Sequence, residues 1–406
     1  MALDIDFVRA QFPAFAQASL QDQAFFENAG GSYTCRQVID RLTRFYTQRK
    51  VQPYGVYEVS RIGGAEMDEA RARLAAIMGV AGDEFSFGPS TTQNTYVLAQ
   101  AFGQWLSAGD AIIVTNQDHE ANSGPWRRLA DRGVEVREWR VDPESGKLEL
   151  DALQNLIDDK VKLLCFPHCS NVVGEINPVA EICAMAKAAG VYTCVDGVSY
   201  APHGLPNVGE LGADVYLFSA YKTYGPHQGI MVMRKGLGFT LPNQGHYFNE
   251  GSLEKRFTPA GPDHAQVAAS AGMADYIDAL CDHHGGTGDA AARGAFAHDL
   301  MRAHEVELLQ PLLDFVRDKN SVRLLGPSDA NAKAPTVAMH AQKSGGELAT
   351  ALAPLGVMAG GGDFYGVRCL KGMGIDPDHG VLRVSFVHYT NKAEVDKLID
   401  ALEQVL

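Results

Sequence analysis

The feature that most constrains the fold is an alternation of short apolar runs and longer amphipathic runs between residues 85 and 235. The apolar runs are predicted strands at residues 85–87, 111–114, 134–139, 163–166, 192–195, 215–218 and 230–233. Several are apolar at successive residues, as expected of strands that are buried on both faces. Helical patterns separate them, at residues 92–106, 124–132, 150–157 and 179–189. This order predicts an α/β fold with a mostly parallel seven-stranded sheet and helices on both of its faces.

The remainder of the chain has a different character. Residues 262–318 are rich in alanine and mostly helical, and residues 320–406 mix short predicted strands, at 335–340 and 381–386, with helices. A chain of 406 residues is long enough for two domains. We therefore predict a large α/β domain over residues 15–260. A smaller α+β domain is expected over residues 261–406, together with the N-terminal segment 1–14.

Composition excludes several classes of partner. The chain has 35 basic and 49 acidic residues, a net charge of −14, and no basic patch of the kind that nucleic acids require. No segment reaches the roughly 18 uncharged apolar residues of a membrane span, and the N-terminus lacks the pattern of a secretory signal. The seven cysteines are odd in number and lack metal-ligand spacing. We therefore expect a cytoplasmic protein with reduced thiols, no metal, no membrane and no nucleic acid.

Polar residues follow the predicted strands, at the edge where open α/β sheets bind ligands. Ser90-Thr91-Thr92 opens a helix, which suits a phosphate, although the same residues also fit a simple N-terminal cap. His119 follows the next strand and either stacks on a flat ligand or has no role. Asn171, Asp196 and Lys222 each follow a further strand. Side chains from five strand ends are thus predicted to meet in one crevice.

This set matches the needs of pyridoxal phosphate. A lysine amine binds the aldehyde covalently, a carboxylate keeps the ring nitrogen protonated, and a helix N-terminus holds the phosphate. Two other phosphate-binding patterns, G-x-x-x-x-G-K-[ST] and G-x-G-x-x-G after the first strand, are absent from the sequence. The residues therefore predict a pyridoxal-phosphate enzyme.

Specific segments of the chain form a pattern known from one enzyme family. They are Asp118-His119-Glu120-Ala121-Asn122 with Pro125-Trp126, His168-Cys169-Ser170-Asn171, Val195-Asp196-Gly197 and Ser219-Ala220-Tyr221-Lys222-Thr223-Tyr224-Gly225-Pro226. With them, the chain resembles the class V aminotransferase family of fold-type-I pyridoxal-phosphate enzymes, in its cysteine desulfurase-like branch. The resemblance extends from residues 26–31 to the C-terminal helix. It implies the fold-type-I architecture, a homodimer and an amino-acid substrate.

The resemblance also implies a role for each site residue. Lys222 corresponds to the lysine that binds the cofactor, Asp196 to the partner of the ring nitrogen and His119 to the stacking histidine. The other implied cofactor-binding positions are Thr91, Thr92, Asn171, Ser199, Ser219 and Tyr221. Ser199 and Tyr221 depart from the glutamine and histidine that relatives usually carry there. Arg383 corresponds to the arginine that binds the substrate α-carboxylate, and Asn28 is a second expected substrate-binding residue.

A further difference from the family pattern affects which reaction is expected. Cysteine desulfurases carry a nucleophilic cysteine on a mobile loop before that arginine, whereas the matching loop here, residues 359–365, has Phe364 at the corresponding position. Cys369 lies in a predicted helix, where a thiol is expected to be a small core residue. The three glycines of the loop allow it to close over substrate. Alternatively, Phe364 and Tyr365 only pack the small domain.

These observations predict a pyridoxal-phosphate enzyme that acts on a small α-amino acid, by transamination or elimination. One alternative is a cysteine desulfurase that releases sulfur from L-cysteine. The other is a non-catalytic scaffold, which the joint presence of Lys222, Asp196, His119 and Arg383 disfavours. In relatives a partner subunit donates a threonine to the phosphate, but residues 261–263 contain none. Residues 245–250 are predicted to lie near the cofactor of the partner.

Overall fold

The computed structural model describes residues 2–406 of the chain. Its helices are α1 (Ile5–Ala10), α2 (Arg36–Gln48), α3 (Glu58–Ile77), α4 (Thr91–Trp105), α5 (Gly124–Arg127), α6 (Leu150–Gln154), α7 (Val179–Ala188), α8 (Val208–Leu211), α9 (Lys235–Thr240), α10 (Leu253–Arg256), α11 (His264–Ala269), α12 (Ala271–His283), α13 (Ala290–Arg317), α14 (Gly345–Leu352), α15 (Val367–Gly372) and α16 (Lys392–Val405). None of the helices within residues 2–406 is both long and apolar enough to cross a lipid bilayer.

The strands form one large and two smaller sheets. They are β1 (Ala24–Phe25), β2 (Phe85–Gly88), β3 (Ala111–Thr115), β4 (Glu135–Trp139), β5 (Val161–Pro167), β6 (Tyr192–Asp196), β7 (Val215–Ser219), β8 (Gly229–Met233), β9 (Val322–Leu325), β10 (Thr336–Ala341), β11 (Val357–Met358), β12 (Gly360–Gly362) and β13 (Val381–Ser385). Each of the seven strands predicted between residues 85 and 235 agrees with an observed strand to within two residues at either end.

The large sheet has the strand order β2-β8-β7-β6-β5-β3-β4. Strand β8 is antiparallel to both of its neighbours, while the pairs β7–β6, β6–β5, β5–β3 and β3–β4 are parallel. Helices cover both faces, so the predicted fold-type-I α/β architecture is confirmed. Because the central strands are parallel, the residues that follow β3, β5, β6 and β7 all lie at the same edge of the sheet.

Two predicted helices are shorter than expected. The segment 124–132 is the short helix α5 followed by a 3-10 helix, Arg128–Arg132, which ends at Gly133 in the left-handed conformation with φ 81°. The helix predicted at 150–157 ends at Gln154, because the amides of Leu156 and Ile157 donate to carbonyls only three residues back. The tightened turn ends the α-helical hydrogen-bond pattern.

The smaller domain is built on an antiparallel sheet with the order β12-β13-β10-β9. Its core joins this sheet to α16 and to the C-terminal half of α13. Helices α11 and α12 pack instead against α2 and α3 and share the core of the large sheet. Val8 and Phe12 also lie in that larger core. We therefore propose that the domain boundary lies within α13, later than the boundary at 260 that the sequence predicts.

Candidate active site

A cavity lies at the carboxyl edge of the large sheet. All nine residues that the sequence predicts for cofactor binding line it, and Ala121, Pro167, Cys169 and Val198 complete the lining. The predicted substrate residues Asn28 and Arg383 are not part of this lining. The fold thus brings groups from five strand ends into one crevice.

One end of the cavity is formed by the first turn of α4. The Ser90 hydroxyl caps this helix by accepting a hydrogen bond from the amide of Gln93 at 3.1 Å. The hydroxyl groups of Thr91 and Ser219 share a hydrogen bond of 2.7 Å across the cavity wall. Gly229 makes this close approach possible, because a Cβ atom there would lie 2.2 Å from the carbonyl carbon of Ser90. The free amides and the dipole of the first helical turn suit a phosphate group at this end.

Lys222 and Asp196 line the same cavity, at the carboxyl ends of the neighbouring strands β7 and β6. Asp196 ends β6, and Lys222 ends the 3-10 turn Ala220–Lys222 that follows β7. Burial lowers the pKa of Lys222 to about 8, and the charge of Arg383 acts in the same direction, against that of Asp196. Burial raises the pKa of Asp196 to about 6, although its carboxylate accepts a 2.8 Å hydrogen bond from the Val198 amide. The amine is therefore partly neutral near pH 8, and the carboxylate would be stabilised by a cationic ligand.

The N-terminal loop holds the lysine turn in place. The hydroxyl of Ser32 donates to the carbonyl of Lys222 at 2.6 Å, and the Ser32 amide donates to the carbonyl of Tyr221 at 3.1 Å. The ring of Tyr221 stacks on that of His227, with centroids 4.7 Å apart. The backbone of Lys222 is thus fixed by contacts on both sides, while its side chain extends into the cavity.

A buried hydrogen-bond chain explains the motif around His119. The hydroxyl of Thr115 donates to the carboxyl group of Asp118, and the amide of Asn122 donates to the other oxygen at 2.8 Å. The indole of Trp126 in turn donates to the Asn122 carbonyl oxygen at 3.0 Å. Burial raises the pKa of Asp118 to about 8. This residue therefore shapes the loop rather than supplying a charge at neutral pH.

His119 presents a neutral ring to the cavity. Its Nδ1 atom accepts a hydrogen bond from the Ala121 amide at 3.0 Å. Burial lowers the pKa of His119 to about 4, with smaller contributions in the same direction from Lys222 and Arg383. The neutral, flat ring is suited to stacking on an aromatic ligand.

Hydrogen bonds hold the loop 359–365 beside this cavity. The side-chain amide of Asn171 donates to the carbonyl of Phe364 at 2.9 Å, and the Glu120 amide donates to the carbonyl of Tyr365 at 2.9 Å. Phe364 and Tyr365 both adopt left-handed backbone angles, with φ of 54° and 57°. Tyr365 is 70% exposed, with its ring centroid 5.3 Å from that of His119. Tyr365 therefore does not simply fill the core of the small domain.

Arg383 lies on β13, under this loop, and is almost fully buried. Its Nη1 atom donates to the carbonyl of Asn171 at 2.9 Å, and its Nη2 atom forms an ion pair of 2.7 Å with Glu27. The guanidinium carbon lies 3.8 Å from the ring centroid of Phe364. Glu27 was not singled out by the sequence analysis, since a carboxylate 356 residues away carries no local signal of this contact.

Asn28 does not line the main cavity, and its side chain is hydrogen-bonded within the chain. Its side-chain amide donates to the carbonyls of Phe25 and Ser385, and its carbonyl oxygen accepts from the hydroxyl of Tyr389. A small separate cavity beside Lys222 borders this residue. Direct contact of Asn28 with substrate stays a prediction.

Comparison with known sequences places this geometry in a family. The sequence model of the family described as aminotransferase class-V matches residues 24–271, more than half of the chain. The chain belongs to the class V aminotransferase family. This confirms the family to which the sequence motifs pointed.

Named relatives match over the full length of the chain. A protein named "Aminotransferase-like protein FGM3" from Gibberella zeae is 33% identical, covering 100% of this chain and 99% of the relative. A protein named cysteine desulfurase from Serratia proteamaculans is 30% identical, again over 100% of this chain and 99% of the relative. The similarity therefore includes both domains.

Solved structures of other proteins share the fold. The apo structure of a cysteine desulfurase from Thermococcus onnurineus NA1 matches with a TM-score of 0.86 and 23% identity, covering 100% of this chain and 98% of the other. The cysteine desulfurase CsdA from Escherichia coli matches with a TM-score of 0.82 and 22% identity, covering 100% and 99%. At these identities, the comparison establishes the architecture alone.

The cysteines of this class V chain are all buried. Cys369 lies in α15 beside Leu370, and burial raises the pKa of its thiol to about 12. Cys169 borders the cavity, but it is also buried, and burial raises the pKa of its thiol to about 12. Neither thiol is ionised near neutral pH. Within residues 2–406, no cluster of three or more histidine, cysteine, aspartate or glutamate side chains could hold a metal ion.

Proposed function

We propose that the chain binds pyridoxal phosphate and acts on a small α-amino acid. The observation that carries this proposal is one cavity that is lined both by a lysine, Lys222, and by a buried carboxylate, Asp196. The α4 terminus at the opposite end suits the phosphate, and Asn171 Oδ1 is buried without a hydrogen-bond donor within the described residues. The residues therefore fit the cofactor. When bound, pyridoxal phosphate supplies an electron sink for a carbanion at Cα.

Each of the other side chains around the cavity has a separate proposed role. Lys222 is the buried amine that can take a proton from Cα, and its pKa of about 8 suits proton transfer near neutral pH. Asp196 supplies a negative charge in a buried site, where it interacts strongly with a cationic ring. The neutral ring of His119 excludes water from one face of the cavity. Arg383 is the proposed partner of the substrate α-carboxylate.

We propose transamination or elimination as the reaction. The buried thiol of Cys369 argues against a protein-bound persulfide, because a nucleophilic thiol must be ionised and accessible. Desulfuration of cysteine is the second candidate, favoured by the relatives named cysteine desulfurase. In that reaction an external thiol, and not Cys369, would receive the sulfur.

A screen of amino acids with the cofactor-loaded enzyme tests the reaction. Cysteine is incubated with and without an external thiol, and alanine, pyruvate, ammonia and sulfide are measured separately. Elimination gives pyruvate, ammonia and sulfide together, whereas desulfuration gives alanine. We expect a keto acid as product from the best substrate. Alanine as the main product from cysteine would establish the second candidate instead.

Replacement of Cys369 by serine is expected to leave turnover within about threefold of the wild type, a barrier change of under about 1 kcal/mol. The reason is that the thiol is buried in α15 and un-ionised near neutral pH. Turnover of the best substrate and sulfide release from cysteine are measured side by side. Loss of sulfide release, with cofactor binding intact, would show that Cys369 carries sulfur.

Replacement of Arg383 by lysine is expected to raise KM for α-amino acids about tenfold or more, since a hydrogen bond to a charged group contributes about 1.5–3 kcal/mol. Lysine keeps the charge but loses the planar fork that binds a carboxylate through two hydrogen bonds. Steady-state kinetics separate KM from kcat. An unchanged KM would place the carboxylate site elsewhere.

We also propose that the enzyme is a homodimer. In the segment 245–250, the side chains of Tyr247 and Phe248 are 87% and 70% exposed, which is unusual for aromatic residues without a partner. Their burial against a second copy would account for this exposure. Sedimentation of the fully active enzyme as a monomer would contradict the proposal.

A further inference from the structure

The guanidinium group of Arg383 already holds a carboxylate from its own chain. Residues 26–28 run parallel to the end of β13, and an isolated bridge pairs Glu27 with Ser385. This pairing brings the Glu27 side chain to Arg383, where the Nη2 and Oε1 atoms are 2.7 Å apart. The second amino group of Arg383 donates to the Asn171 carbonyl at 2.9 Å. One N–H of each amino group of Arg383 is therefore already in use.

The niche around Glu27 is shaped by two glycines. A Cβ atom at Gly360 would lie 2.5 Å from Glu27 Oε2, and one at Gly30 would lie 2.8 Å from Glu27 Oε1. Gly360 pairs directly with Arg383 across strands β12 and β13. Any side chain at either glycine would displace the carboxylate. The backbone thus leaves room for Glu27 at the position where it meets the arginine.

Apart from their ion pair, Glu27 and Arg383 each have a buried polar atom without a hydrogen-bond partner in the part of the chain that the structure describes. The Oε2 atom of Glu27 is buried and has no hydrogen-bond donor among residues 2–406, and Arg383 Nε likewise has no acceptor there. The ring of Phe364 covers one face of the guanidinium group at 3.8 Å. Arg383 is itself only 3% exposed. An incoming carboxylate that approaches Nη2 therefore meets the carboxylate of Glu27, which already neutralises the guanidinium group.

We propose that Glu27 is a specificity-determining residue that competes with the substrate α-carboxylate for Arg383. The inference rests on the proposed function, in which Arg383 binds that carboxylate. Because Glu27 neutralises the buried guanidinium group, it weakens the attraction for any second anion. The enzyme therefore discriminates less between an amino acid and the corresponding amine than an unopposed arginine would allow.

Binding of a simple carboxylate tests the competition directly. Propionate and uncharged propionamide are titrated against the cofactor-loaded enzyme, and binding is followed by ligand-observed NMR, which needs no turnover. In Glu27→Gln the affinity for propionate is expected to rise about tenfold, with propionamide unchanged. The matched control is Glu84→Gln, which removes the charge from another glutamate that pairs with an arginine, Arg234, at 3.0 Å outside the site. This control is expected to bind propionate as the wild type does.

Two further variants make the outcome decisive. Glu27→Asp keeps the charge but shortens the reach to Arg383, so it is also expected to bind propionate more tightly, and it decides the question if Glu27→Gln does not fold. In an Arg383→Ala background, Glu27→Gln is expected to change nothing. Propionate affinity equal to or below that of the wild type in the folded Glu27 variants would overturn the proposal.

Steady-state kinetics independently test the competition between Glu27 and the substrate carboxylate for Arg383. In Glu27→Gln, KM for the best amino acid is expected to fall about tenfold, while KM for the amine without a carboxylate stays unchanged. If the wild type turns over no amino acid, the proposed function fails, but the propionate titration still decides whether Glu27 competes for Arg383.

Discussion

Replacement of Lys222 by alanine is expected to abolish covalent attachment of pyridoxal phosphate and to reduce turnover by about 10²–10⁴-fold or more. Lys222 is the only lysine among the described residues that line the cavity. Burial lowers the pKa of its amine to about 8, and the charge of Asp196 acts in the opposite direction. The substitution thus removes both the nucleophile that binds the aldehyde and the nearest base for the Cα proton.

Borohydride reduction followed by peptide mapping measures the attachment. We expect the label on Lys222 in the wild type and no label in Lys222→Ala. Lys333 provides an internal control, because it is another buried lysine whose pKa burial lowers, to about 7. Its amine donates to the carbonyls of Val173 and Leu325, which hold it away from a ligand. A label on Lys333, or on any lysine other than Lys222, would refute the assignment.

The pH dependence of attachment follows from the same amine. With a pKa of about 8, about one tenth of Lys222 is neutral at pH 7 and about nine tenths at pH 9. Only the neutral amine attacks an aldehyde. The initial rate of attachment to the cofactor-free protein is therefore expected to rise as pH increases through 8 and to level off above 9.

The positions of Lys222, Asp196 and His119 are predictable from sequence because two local rules suffice. Contiguous apolar residues identify strands buried on both faces, and parallel strands place their following residues at one edge. The residues after β3, β6 and β7 therefore meet without any knowledge of side-chain contacts. The same reasoning fails for Arg383, whose role rests on resemblance, since nothing in the pattern of β13 indicates its partner.

The features that the sequence does not predict depend on contacts between distant segments. The pair of Glu27 and Arg383 forms only because residues 26–28 run beside the end of β13. The sequence does not predict the domain boundary for the same reason. The apolar faces of α11 and α12 do not indicate which of the two cores these helices will join. Their packing against α2 and α3 is decided by the tertiary fold. Local periodicity predicts that one face of a helix is buried, but it does not predict which other element packs against that face.

Replacement of Asp196 by asparagine is expected to weaken cofactor binding about 10- to 100-fold, since a charge-assisted hydrogen bond contributes about 1.5–3 kcal/mol. Most turnover should be lost as well, because a neutral amide does not keep the ring nitrogen protonated. Asparagine retains an oxygen that can accept the 2.8 Å hydrogen bond from the Val198 amide, so the turn after β6 is expected to stay intact. Cofactor titration and kcat measure the two effects separately.

Asp214→Asn is the matched control. Asp214 is another aspartate whose pKa is raised by burial, but it accepts hydrogen bonds from Thr193 at the opposite ends of β6 and β7. This variant is expected to keep both cofactor affinity and turnover.

The pH dependence of cofactor affinity tests whether Asp196 acts through its negative charge. Burial raises the pKa of Asp196 to about 6 in the cofactor-free site, and a cationic ring would lower it by stabilising the carboxylate. The wild type therefore loses this contribution to cofactor affinity as pH falls below about 6, whereas Asp196→Asn has no such contribution to lose. The phosphate of the cofactor titrates in the same range in both proteins, so the difference between the two affinity curves isolates Asp196. A difference that stays constant from pH 5 to pH 8, or turnover of Asp196→Asn near that of the wild type, would show that the carboxylate does not act as a charge on the ring nitrogen.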